Sequence, residues 1–165
     1  MNRLIVTAFA TLAGLAASDI SAQEATASPL QGAWTLVAAD KILPGGERAR
    51  DYGEHPKGRL LIDARGRYTL QIFKSERPRF ASADKAAGSA EEFKAATLGG
   101  STHYGTLKVD RAGKRLVFAI EGASFPNWEG TVQERAYELV GDELSYRVPA
   151  RPDGSVPVSV WRRID

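Results

Sequence analysis

The sequence contains no cysteine, only two histidines and a single methionine. Without cysteine there is no disulfide scaffold, no structural cysteine–zinc site, no iron–sulfur cluster, no thiol chemistry and no lipid anchor built on an acylated cysteine. His55 and His103 stand far apart, and no HExxH or other close pair offers zinc-site spacing. A Gly-x-Ser-x-Gly elbow, a P-loop and a Gly-rich dinucleotide turn are also missing. Charge of one sign is scarce: 22 Lys and Arg against 20 Asp and Glu leave +2. The pI near 9 follows from that small surplus rather than from a basic patch, so no nucleic-acid partner is expected. What remains is 165 residues, 43% apolar and 25% charged, the balance of one folded domain with a sizeable core. No metal or cofactor is expected.

The only long apolar run lies at the start. Arg3 precedes Leu4–Ala17, and Ser18-Asp19-Ile20-Ser21-Ala22 follows, the three-part layout of a secretory signal with a small residue before the cut. The run falls short of the roughly 20 residues a membrane-spanning helix needs. Residues 1–22 are therefore read as a signal peptide, 23–28 as a disordered leader and 29–165 as the domain. Removal of Arg3 and Asp19 with the signal leaves the charge at +2. The expected product is exported, periplasmic or secreted, with no membrane span in the mature chain.

Beyond the leader the dominant period is two. Strands are expected at Trp34–Ala38, Arg59–Asp63, Arg67–Phe73, His103–Asp110, Arg115–Glu121, Thr131–Val140, Glu143–Val148 and Ser159–Arg163. Short turns carrying Gly66, Gly113 and Gly141 join several of them into hairpins. Pro44, Pro56, Pro78, Pro126, Pro149, Pro152 and Pro157 are expected between strands, because proline cannot donate to a ladder. One helix interrupts the pattern. Ser89 with Glu92 forms a capping box, Phe93–Leu98 continues the helix, and Gly99-Gly100 stops it. It could plug the barrel or lie across its mouth. About eight strands with almost no helix must close on themselves, and sequential hairpins favour a small antiparallel up-and-down β-barrel.

Pairing across the Ala112-Gly113 turn places Asp110 opposite Arg115, Lys108 opposite Val117, Thr106 opposite Ala119 and Tyr104 opposite Glu121. His103, Gly105, Leu107, Val109, Leu116, Phe118 and Ile120 then face inward. In the next strand Gln133, Arg135, Tyr137 and Leu139 take the inner face. An inward Arg135 is costly unless paired. It reads either as a structural ion pair with Glu121 or Asp63, or as an anchor for an anionic group. His103 reads as a hydrogen-bonded wall residue or as an acid–base group. Arg77-Pro78-Arg79-Phe80 could clamp an anionic headgroup, or pack its aromatic under the rim and leave the arginines in water. Trp128 is read as a rim aromatic.

The residues also carry a family resemblance. Gly32-Ala33-Trp34 is similar to the Gly-x-Trp opening of lipocalins. Further matching stretches are Pro56-Lys57-Gly58-Arg59-Leu60, Glu76–Ala81, Tyr104-Gly105-Thr106, Pro126–Thr131, Gln133-Glu134-Arg135 and Leu139–Leu144. Across nearly the whole mature chain the sequence resembles the bacterial and fungal lipocalin-like domain family. The resemblance implies a barrel with an internal cavity. It also implies that Trp34 packs at the closed end under an arginine of Val160-Trp161-Arg162-Arg163. It supplies no shared catalytic set. The expected function is binding of a small hydrophobic or amphipathic molecule. His103, Leu107, Phe118, Ile120, Gln133, Arg135, Arg77 and Trp128 are the candidate ligand-binding residues. A filled structural barrel and an isomerase or cyclase acting on a hydrophobic substrate are the alternatives.

Overall fold

The computed structural model describes residues 28–164; the expected signal peptide and all of the leader but Ser28 lie outside the described residues. The strands are β1 (Gly32–Ile42), β2 (Arg48–Arg50), β3 (Lys57–Ile62), β4 (Arg67–Phe73), β5 (Gly100–Asp110), β6 (Arg115–Ala123), β7 (Val132–Val140), β8 (Glu143–Arg147) and β9 (Val156–Arg163). Each pairs antiparallel with its neighbour, and β9 returns to β1, so the sheet closes into an up-and-down barrel. Eight strands complete the circuit. The short β2 continues the β3 edge of β1 by pairing Arg48–Arg50 with Asp40–Ile42.

Local chemistry sets the corners. Val140 pairs with Glu143 across Gly141-Asp142, and Gly141 supplies the positive φ of 57° that a two-residue hairpin turn requires. The β3–β4 turn is held by the Asp63 carboxylate, which accepts from the backbone N–H of Arg65 and of Arg67. The helix α1 (Ala90–Leu98) carries the reciprocal capping box of Ser89 and Glu92. It buries none of its residues and contributes none to the barrel cavity, so it neither plugs the barrel nor roofs it.

The β5–β6 register agrees with the hairpin reading from Asp110↔Arg115 to Thr106↔Ala119. Beyond it the pairing slips, and Tyr104 opposes Gly122 rather than Glu121. Gly105 explains the slip. It sits at φ 155°, and a Cβ there would come within 2.1 Å of the Ala119 carbonyl oxygen. Only glycine tolerates that approach, and the extra residue bulges out on β6. A second correction concerns Pro157, which lies inside β9, paired with Lys41 near the strand's start. Leu139, assigned inward, remains 37% exposed at the far end of β7.

The lower half of the barrel is filled. Leu60, Leu116, Phe118, Leu144, Trp34 and Trp161 are fully buried there. Trp34 plugs the end. Its Nε1 donates to the Leu30 carbonyl at 3.0 Å, and the Arg163 guanidinium lies 4.1 Å from its ring centre. Arg163 also donates to the backbone carbonyls of Gln31 and Pro29. Among the described residues no helix is long and apolar enough to cross a membrane.

Candidate functional site

Above the filled half lies a cavity of about 420 Å³ that opens at the other end of the barrel. Its floor is a layer of polar groups set on aromatic rings. Arg135 projects inward from β7 and is only 5% exposed. Its guanidinium lies 4.2 Å from the ring centre of Phe118 and 5.1 Å from that of Tyr146. Nη2 donates to Gln133 Oε1 at 2.9 Å and to His103 Nε2 at 3.3 Å. The expected ion pair with Glu121 or Asp63 does not form. The Asp63 carboxylate is taken by Arg67 at 2.6 Å, and Glu121 points outward at the bulge. Among the described residues Arg135 has no carboxylate partner, and its Nε is buried with no hydrogen bond.

His103 links this arginine to Tyr68. Arginine can only donate, so Nε2 of the ring accepts, and the ring proton resides on Nδ1. Nδ1 therefore donates to the Tyr68 hydroxyl oxygen at 2.8 Å. Burial, with the positive charge of Arg135 behind it, depresses the His103 pKa to about 3. The imidazole is neutral at physiological pH. Burial in turn pushes the Tyr68 hydroxyl well above its ordinary value. The Tyr146 hydroxyl is a further buried polar atom with no partner.

Trp128, in a short 3-10 turn between β6 and β7, meets His103 edge-on at 6.1 Å and Phe125 at 5.5 Å. It walls the cavity near its mouth. Across the opening Asp51 accepts from Arg151 at 2.6 Å and faces Lys41 at 3.5 Å. Burial works against this carboxylate, but the bond and charge of Arg151, with Lys41, more than offset it. They hold its pKa below the ordinary value.

The expected ligand-binding residues thus fall into three places. His103, Gln133, Arg135 and Trp128 line the cavity together. Leu107, Phe118 and Ile120 belong to the packed core; Phe118 reaches the site only as the ring beneath Arg135. Arg77 lies outside the barrel, 4.8 Å from the Phe73 ring centre, while Phe80 packs on Phe93 of α1 at 5.4 Å. Tyr52, Tyr146, Ser159, Asp51 and Arg151 line the cavity without having been singled out. Tyr146 and Ser159 were accessible to the two-residue alternation, as they share faces with Leu144 and Trp161. Asp51, Tyr52 and Arg151 come from loops and carry no periodic signal.

No curated protein matches the chain. Among solved structures, a mutant of the fluorescent protein UnaG is similar at 16% identity. The match covers 81% of this chain and 95% of that one, with a TM-score of 0.35. The lipocalin-like domain matches residues 31–164. That span runs from the residue before Gly32-Ala33-Trp34 to the residue after Arg163, the two ends joined by the plug. The chain belongs to the lipocalin-like domain family.

Proposed function

We propose that this protein is an exported barrel that binds a small amphipathic acid, its apolar body in the cavity and its anionic group on Arg135. The observation that carries the reading is a buried guanidinium without a carboxylate, at the floor of a largely apolar cavity. An isolated buried charge costs several kcal/mol in effective desolvation (on the order of that size after relaxation). A ligand oxyanion would supply the missing partner through a charge-assisted bond. The cavity volume sits inside the roughly 300–1,000 Å³ range of small-molecule pockets, which favours binding over a filled structural barrel. A catalytic reading needs His103 as a base, and a ring with a pKa of about 3 is a weak one at neutral pH. Export rests on the three-part layout of residues 1–22.

Calorimetric titration with decanoate and 2-naphthoate, each beside its neutral alcohol, tests the reading. Saturable 1:1 binding of at least one acid, clearly tighter than its alcohol, is expected. No binding of either acid, or equal affinity for the alcohols, overturns it.

A further inference from the structure

The shape and lining of the cavity point to a narrower ligand class. This inference rests on the acid-binding reading above and deepens it. We infer that the site selects a planar aromatic acid over a flexible acyl chain of similar size.

The first ground is depth. No strand contributes more than a short stretch to the lining: Leu70 and Ile72 on β4, Ser101 and His103 on β5, Gln133 and Arg135 on β7. Two residues of strand span roughly 7 Å. Below them the barrel is occupied by its own side chains, with Phe118 and Leu116 fully buried. A carboxylate seated on Arg135 therefore has about 7 Å of strand above it before the rim loops of Asp51, Tyr52, Pro149 and Arg151 begin, and an extended ten-carbon chain reaches beyond that strand layer. In width, however, an eight-stranded barrel has room for one small ligand. A fused-ring acid of similar atom count is shorter and wider than that chain and keeps more of itself among the lining side chains.

The second ground is the wall. Trp128, His103, Tyr68, Phe118 and Tyr146 form a continuous series of edge-to-face or tilted contacts, with centroid separations of 5.0–6.1 Å. Rings locked by each other in this way are already ordered and lose little on binding. Of the five, Trp128, His103 and Tyr146 line the cavity and offer an incoming ring the edge and face geometries that aromatic pairs prefer, while Tyr68 and Phe118 back them from the core. An acyl chain gains only contact area from the same surface, and it must freeze its own rotors to do so. Pro149 and Pro157 add rigid apolar surface elsewhere in the lining.

The third ground is the floor. Arg135 rests against the face of Phe118 and is held by Gln133 and His103. A planar fork so fixed matches a planar carboxylate, and conjugation of that carboxylate to a ring keeps ligand and fork in a defined relative orientation.

The test compares 2-naphthoate with decanoate, two carboxylates of nearly equal size, by calorimetry on the full mature chain. The ring acid is expected to bind at least about tenfold more tightly, equivalent to about 1.4 kcal/mol. Trp128→Leu keeps apolar bulk and removes the ring; it is expected to erase most of that preference by weakening 2-naphthoate much more than decanoate. Equal or tighter binding of decanoate to the wild-type protein overturns the aromatic selection and leaves the acid-binding reading standing. Failure of both acids to bind overturns the acid-binding reading itself. The wild-type comparison needs no variant, so a poorly folded Trp128→Leu protein does not shelter the inference.

Discussion

Arg135 donates to His103 Nε2 at 3.3 Å, and that one contact determines the protonation of its neighbours. The ring must carry its proton on Nδ1, and Tyr68 must receive it. The imidazole cannot take a second proton without turning a donor toward a buried cation.

The pH dependence of stability follows. His103 has a pKa of about 3 in the folded barrel, against about 6.5 in an unfolded chain. Between those values the unfolded chain binds a proton that the folded one refuses. Stability therefore falls as pH drops from about 6.5 toward 3, by up to roughly 1.4 kcal/mol per pH unit from this group. Urea unfolding of wild type and His103→Gln at pH 7, 6, 5 and 4 isolates the contribution. The gap between the two proteins is expected to shift in favour of the variant as pH falls; a constant gap would contradict the assignment.

Arg135→Met separates binding from stability. Loss of a charge-assisted hydrogen bond costs about 1.5–3 kcal/mol, so acid binding is expected to weaken roughly 10- to 150-fold. The unliganded barrel also loses a charge with no carboxylate beside it. Its unfolding free energy is expected to stay level or rise by about 1–2 kcal/mol, since well-packed apolar groups commonly replace buried ions at no loss. Calorimetry and urea unfolding on the same preparation read both effects.

At the mouth, the Asp51–Arg151 bond ties the segment after β2 to the loop before β9. The Asp51 carboxylate is held below its ordinary pKa, so its contribution is present above about pH 4 and is lost as pH falls further. Asp51→Asn is expected to cost about 1 kcal/mol or less at pH 7, because the Arg151 side chain is 38% exposed and solvent screens the pair. The same variant should release bound acid faster in stopped-flow displacement, because the two loops are no longer tied.

The closed end is expected to be far less tolerant. Trp34 is fully buried. Trp34→Ala removes a large core side chain and is expected to cost about 3–5 kcal/mol. Arg163→Ala, which loses the stacking on Trp34 and the bonds to Gln31 and Pro29, is expected to cost about 1–2 kcal/mol. Thermal unfolding of both variants checks the order.

The barrel was legible because its signals are local and repeated. Alternation marked the inner face of β5, β6 and β7, and turn residues marked the β3–β4, β5–β6 and β7–β8 reversals. Two things escaped for physical reasons. Arg48-Ala49-Arg50 has no apolar alternation to announce a strand, and it pairs only because β1 runs long enough to offer it an edge. The bulge at Glu121 depends on how closely Gly105 approaches a carbonyl across the ladder, which only the folded backbone decides.

The site was legible in part. Periodicity places His103, Leu107 and Phe118 on one inner face, but it does not say at what height the core stops filling the barrel. His103 proves to stand at the boundary, with Leu107 and Phe118 below it. Nor does a single strand say whether Arg135 will meet a carboxylate. That depends on Asp63 turning to Arg67 and on Glu121 keeping to the outer face of β6.

The seam between β1 and β9 has a consequence for the folding pathway. It joins Trp34 to Arg163, so the circuit cannot close until nearly the whole domain has been organised hairpin by hairpin. Closure of so long an interval is entropically slow, and folding is expected on the millisecond-to-second scale of β-barrels rather than the microsecond scale of helical bundles. With the seam formed last, contacts across it are absent from the transition state. A weakened Arg163 would then hasten unfolding while leaving the folding rate almost untouched.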